Sequence, residues 1–157
     1  MLEFELKPHT GVGPLKLGVS REAARSTMSE LGHPLERSKE NLDFYCQSSF
    51  HLEYVQGDSL SYIGTSFYKD FKLIYSETVN VFDTPARKLY KIINSGETNM
   101  VEFNDYELFF PDQIIFLWDA QKQYDHYQDE SRPVFATVGI GDEVWKTEIL
   151  RTMERGR

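Results

Sequence analysis

The order of predicted elements occurs twice along this chain of 157 residues, and this repetition constrains the fold more than any single motif. The stretches LKLGVSREAAR and VNVFDTPARKL, which begin at Leu15 and Val79, each combine two alternating apolar residues, a capping residue and a helix start. Strand candidates follow each helix. We therefore predict two strand-helix-strands units, about 1–70 and 71–157, which form a single domain and are interpreted as duplicated halves.

Both predicted helices carry start and stop signals. Ser20 is a good N-cap for the first helix, because its hydroxyl can accept from a free backbone amide, and Gly32 follows as a stop. In the second helix Pro85 lies near the first helical position, with Asp83 or Thr84 as the cap. The tail from residue 141 onward also has helical spacing.

The remaining apolar residues mostly alternate with polar ones, which is typical of half-buried strands. Such runs lie at residues 2–6, 42–46, 50–55, 60–67, 101–103, 107–110, 114–119 and 134–140. The sequence therefore predicts an α+β fold with a mostly antiparallel sheet, shared by the two halves, and with the helices on one face.

The glycine-rich stretch GVGPLKLG does not match a phosphate-binding loop. A dinucleotide loop would require glycine where Lys16 stands, and the chain lacks a Gly-Lys pair followed by Ser or Thr. Pro14 also removes an amide that a phosphate cradle would use. We interpret Gly11, Gly13 and Gly18 as residues of a turn and of a tight entry into the first helix.

The sequence offers no motif for a metal, a cofactor or a covalent nucleophile. His9, His33, His51 and His126 are far apart in sequence, and none has metal-ligand spacing to another histidine or to Cys46. Cys46 is the single cysteine and is interpreted as a buried small apolar residue. We predict no cofactor, no metal and no catalytic residue.

Charge and composition restrict the partners. There are 17 Lys and Arg against 25 Asp and Glu, a net charge of −8. This balance disfavours nucleic acids and anionic membranes, which require clustered cations, and favours a basic protein partner. The first residues, MLEFELKP, have neither a basic region nor a long apolar run. We therefore expect a cytoplasmic protein.

The segment Trp118–Pro133 stands out as a binding surface. It places acidic residues and tyrosines between two predicted strands, with only Lys122 and Arg132 as cations. Tyrosines offer contact area at a low entropic cost, and carboxylates steer a basic partner. The predicted contact residues are Asp119, Tyr124, Asp125, Tyr127, Asp129 and Glu130.

Residues 11–34, with the motif GVGPLKLGVSREAA, and the later motifs VFDTPA, FPD and VGIGDEVW resemble small bacterial immunity proteins of toxin systems, including contact-dependent inhibition. The helix-then-strands unit also resembles the repeat of beta-lactamase-inhibitor-like proteins. We expect this chain to differ from those proteins, because its first residues do not have the pattern of a leader and it contains a single cysteine.

The resemblance implies neutralisation of a toxin domain, such as a basic nuclease, by stoichiometric binding that occludes its active site or substrate path. Two alternatives remain open. A small-molecule-binding or sensory module would need an apolar pocket between helices and sheet. A small enzyme with dispersed carboxylates would need a pair of them close together in space.

Overall fold

The computed structural model describes residues 2–55, 58–98, 101–104, 107–118 and 132–156, with the backbone alone at 101–104. It contains helices α1 (Arg21–Glu30), α2 (Ala86–Asn94) and α3 (Glu143–Arg155), and a short 3-10 helix at Val81–Asp83. Within the described ranges, none of the helices has the length and apolar character needed to cross a membrane.

Thirteen strands are found in these ranges. They are β1 (Leu2–Lys7), β2 (Gly11–Val12), β3 (Leu15–Lys16), β4 (Arg37–Lys39), β5 (Leu42–Tyr45), β6 (Phe50–Val55), β7 (Ser59–Thr65), β8 (Phe71–Tyr75), β9 (Val79–Asn80), β10 (Val101–Asn104), β11 (Glu107–Phe110), β12 (Ile115–Trp118) and β13 (Thr137–Gly141).

An eight-stranded antiparallel sheet joins the two halves. Its order is β10-β11-β12-β13-β7-β6-β5-β4, so each half contributes four consecutive strands. The two sets meet where β7 pairs with β13, with Gly64 opposite Gly139. The predicted α+β fold with a mostly antiparallel sheet is therefore confirmed, and both halves share this sheet. In each half a helix is followed by four strands of this sheet, while the duplication of the halves stays a prediction.

A second sheet of five strands also contains residues of both halves. Its order is β3-β2-β1-β8-β9, and β1 pairs with β8 in parallel, from Leu2 opposite Phe71 to Leu6 opposite Tyr75. The alternating residues of β1 turn Phe4 and Leu6 into the core. The halves thus meet in two sheets rather than in the one continuous sheet that the sequence suggested.

Two side-chain clusters cover opposite faces of the eight-stranded sheet, because successive residues of a strand point to opposite sides. Ile63 belongs to the larger cluster, with the apolar faces of α1, α2 and the five-stranded sheet. Its neighbour Tyr62 belongs to the smaller cluster, with Trp145 and Met153 of α3. The helices therefore do not all lie on one face. From Leu60 onward β7 is buried on both sides, and α3 covers the second side.

The start of α1 follows the sequence signals. The hydroxyl oxygen of Ser20 accepts a hydrogen bond from the backbone N–H of Ala23 at 3.1 Å, as the cap prediction requires. Before the helix, β2 and β3 form a tight hairpin in which a β-carbon at Gly11 would lie 1.9 Å from the carbonyl oxygen of Leu15. Gly13 has a φ of +53°. These glycines therefore serve backbone geometry.

The predicted cap of α2 is wrong. Asp83 ends the 3-10 helix, and the Thr84 hydroxyl donates backward to the carbonyl oxygen of Asn80 at 2.6 Å. The backbone N–H of Ala86, which has no partner within the helix, instead donates to the carbonyl oxygen of Pro133 at 2.7 Å. A contact from a distant part of the chain therefore replaces the side-chain cap.

Candidate functional site

The six predicted contact residues, Asp119, Tyr124, Asp125, Tyr127, Asp129 and Glu130, lie outside the described residues. The structure does describe where the chain leaves and re-enters the sheet. β12 ends at Trp118, and Trp118 lies opposite Thr137, the first residue of β13. The N–H of Ala136 donates to the carbonyl oxygen of Trp118 at 3.0 Å. The end of β12 and the start of β13 thus lie at the same end of the eight-stranded sheet.

Four side chains form a row across this end of the sheet, which we call the Trp118 row: Ser66, Thr137, Trp118 and Glu107. The Trp118 indole N–H donates to Glu107 Oε1 at 3.2 Å, and the hydroxyls of Ser66 and Thr137 are 3.3 Å apart. The Trp118 side chain is 41% exposed, which is unusual for so large an aromatic group. The row therefore presents an aromatic surface oriented by a carboxylate.

The next row along the same face crosses seven strands, from β4 to β11. Its members lie opposite one another in register: Arg37, Phe44, His51, Gly64, Gly139, Phe116 and Phe109. At its centre the absence of side chains makes room for rings from neighbouring positions. A β-carbon at Gly64 would lie 1.9 Å from His51 Cε1, and one at Gly139 would lie 2.0 Å from the Tyr62 hydroxyl oxygen. The two glycines are therefore required by packing.

Tyr62 connects this face to α3. Its ring stacks on the Trp145 ring with centroids 4.3 Å apart and an interplanar angle of 15°. Burial raises the pKa of Tyr62, as do the nearby charges of Glu53 and Glu107. Burial also raises the pKa of Glu53, although a hydrogen bond from Trp145 opposes this effect. This part of the face is held together by aromatic packing and partly desolvated polar groups.

His51 lies on the face opposite to Phe50 and Leu52, because successive residues of β6 point to opposite sides of the sheet. It is nevertheless half-buried, because the rings of Phe44 and Tyr62 lie 6.4 and 5.5 Å from its own. This burial lowers the pKa of His51 below its usual 6.5. The imidazole is therefore neutral at physiological pH.

A buried ion-pair cluster, which the sequence reasoning missed, lies on the opposite face. The carboxylate of Asp43 is fully buried and accepts from Arg21 at 2.6 Å and from Arg25 at 2.8 Å. Burial alone would raise the pKa of Asp43, but hydrogen bonds from Arg25, Arg21 and Ser38 lower it to about 2. Asp43 therefore remains charged and attaches α1 to β5.

Two tyrosines complete this cluster. Tyr45 and Tyr54 are buried, and neither hydroxyl has a hydrogen-bond partner among the described residues. Burial raises the pKa of Tyr45 to about 12. The guanidinium of Arg21 lies 5.0 Å above the Tyr54 ring. We call Arg21, Arg25 and Asp43 the Asp43 anchor. Both arginines are engaged with Asp43, so the cluster holds α1 on β5.

The Asp43 anchor could have been recognised in part from the sequence. Arg21 and Arg25 are four residues apart on a helix, hence on one face. Asp43 shares its side of β5 with Tyr45, since the two are two positions apart in the strand. A charged residue at an inward strand position requires an opposite charge.

Cys46 follows β5 in a turn rather than lying within the strand. It is 4% exposed, and burial raises the pKa of its thiol to about 11. The thiol is therefore protonated at neutral pH, as expected of a packed side chain. Elsewhere in the described ranges, no group of three or more His, Cys, Asp or Glu residues could hold a metal ion.

No family model, curated protein or solved structure matches this chain.

Proposed function

We propose that this protein is a cytoplasmic immunity protein, which neutralises a basic toxin domain by binding it one to one. The contact surface comprises the Trp118 row and the acidic segment that follows it. The partner's active site or substrate path is occluded, and no reaction is catalysed by this chain.

The exposure of Trp118 carries the proposal. An aromatic side chain that is 41% exposed and hydrogen-bonded to Glu107 is suited to be an interface anchor. Tryptophan is enriched among the residues that dominate binding energy, because it buries a large area with few rotatable bonds. Phe67, which follows β7 near the same end of the sheet, is 48% exposed.

The charges that follow Trp118 in the sequence support a basic partner. Asp119, Asp125, Asp129 and Glu130 follow it in sequence. One of the two cations in this stretch, Arg132, donates to the carbonyl oxygen of Asp83 at 2.6 Å and is therefore engaged on the α2 side. The remaining carboxylates accelerate and orient the docking of a basic domain such as a nuclease.

The test is a binding titration with the partner captured from the native cell. We expect one-to-one binding that weakens steeply with added salt and abolishes the partner's toxicity or enzymatic activity. Neutralising the segment with Asp119→Asn, Asp125→Asn, Asp129→Asn and Glu130→Gln should slow association by about tenfold or more.

A matched control carries the same type of change elsewhere. Glu3→Gln, Glu22→Gln, Glu30→Gln and Glu154→Gln remove four exposed carboxylates from β1, α1 and α3. This variant has the same net charge as the segment variant. If both slow association equally, net charge alone drives binding and the assigned surface is wrong.

A further inference from the structure

A groove of about 490 Å³ lies between α2 and the sheet. This volume falls within the roughly 300–1,000 Å³ typical of small-molecule sites. Its walls come from α2, from β11 and from the residues before β13: Ala86, Arg87, Tyr90, Lys91, Leu108 and Phe135.

The groove and the Trp118 row lie on opposite faces of the eight-stranded sheet. Glu107 of the row and Leu108 of the groove are consecutive residues of β11, so their side chains point to opposite sides. Leu108 packs against the larger cluster, which includes Leu89 and Ile93 of α2. A ligand in the groove would therefore leave the Trp118 row uncovered.

One side of the groove is apolar and the other is cationic. Phe135 and Ala86 are buried, and Tyr90 and Leu108 are half-buried, so together they form an apolar wall. Arg87 and Lys91 are exposed and lie four residues apart on α2, hence on the same side of the helix. Both line the groove.

Arg87 and Lys91 differ in their ion pairing from three arginines on or near the helices. Arg21 and Arg25 are paired with Asp43, and Arg132 lies 3.6 Å from Asp83 Oδ1. In contrast, neither Arg87 nor Lys91 forms an ion pair with any residue that the structure describes. The groove thus combines an apolar wall with two positive charges that are available to a ligand.

We propose that this groove binds a small carboxylic acid with an apolar body. The body packs against Tyr90, Leu108 and Phe135. The carboxylate lies between Arg87 and Lys91, because the planar guanidinium matches the two carboxylate oxygens and the ammonium adds a second charge. This site does not depend on the proposed toxin binding.

The test is a calorimetric titration of the full chain with decanoate, below its micelle concentration, and in parallel with decanol. We expect decanoate to bind one to one and decanol to bind about tenfold more weakly. The double variant Arg87→Gln/Lys91→Gln should lose about tenfold in decanoate affinity and none in decanol affinity. NMR shift changes on Leu108 and Phe135 should locate the ligand.

Lys88→Gln is the matched control, since Lys88 is exposed on the same helix but does not line the groove. It should retain the decanoate affinity, and all variants should keep the thermal midpoint. Absence of decanoate binding, equal binding of the acid and the alcohol, or an equal loss with Lys88→Gln would each overturn the proposal.

Discussion

Gly139 lies directly beneath the hydroxyl of Tyr62, so closely that a β-carbon at position 139 would be 2.0 Å from the hydroxyl oxygen. This approach allows the Tyr62 ring to lie over the sheet and to stack on Trp145 of α3. A glycine on the central strand β13 therefore determines how the C-terminal helix packs.

We predict that Gly139→Ala destabilises the protein by about 1–3 kcal/mol, because Tyr62 must move and its stacking on Trp145 is disturbed. Urea unfolding followed by circular dichroism measures this difference. In a Tyr62→Ala background the same substitution should cost much less, since the clash is gone. Equal costs in the two backgrounds would disprove the packing explanation.

We predict that Asp43→Asn costs about 2–4 kcal/mol of folding free energy, because Arg21 and Arg25 lose their counter-charge while α1 remains packed over them. Chemical denaturation measures the loss. Asp58→Asn, at an exposed position, is the control and should cost less than about 0.5 kcal/mol. Similar costs for both changes would mean that the anchor adds no stability.

His51 should make stability depend on pH. Its pKa is lowered in the folded state by burial, so the unfolded chain binds more protons. The contribution of neutral His51 is therefore complete above pH 6.5 and is lost as pH falls from there toward the lower, folded-state pKa. Between pH 8 and pH 5.5, the free energy of unfolding should decrease more for the native chain than for His51→Gln. An identical fall would show that His51 titrates normally.

The two tryptophans should have separate roles. Trp145 is buried at 6% exposure, and Trp145→Ala should cost about 3–5 kcal/mol. Trp118→Ala should cost at most about 1 kcal/mol, because it removes an exposed cross-strand contact. It should nevertheless weaken partner binding by tenfold or more. Thermal unfolding and a binding titration of each variant separate the two effects. A stability loss at Trp118 as large as at Trp145 would make Trp118 structural.

Local signals predicted much of the fold. The Ser20 cap, the strand Phe50–Val55 and the strand Glu107–Phe110 were correct, because each depends on a few neighbouring residues. The parallel pairing of β1 with β8 depends on residues about 70 positions apart, and no local pattern specifies such a contact.

The candidate site was less predictable for the same reason. The sequence indicated an acidic segment, yet the exposure of Trp118 depends on strands β11, β12 and β13 being neighbours. The space above Gly64 and Gly139 likewise exists because β7 of the first half pairs with β13 of the second half. The Asp43 anchor had a local signal on each side, but only the fold brings the two sides together.

The most direct test of toxin neutralisation is affinity capture from the native cell with two baits, the native protein and Trp118→Ala, followed by assay of the captured partner. We predict that the native bait retains one basic toxin domain at one to one, in an inactive form. The variant bait, although folded, should lose it. If the native bait retains no such domain, or if the bound domain stays fully active, the immunity function is contradicted.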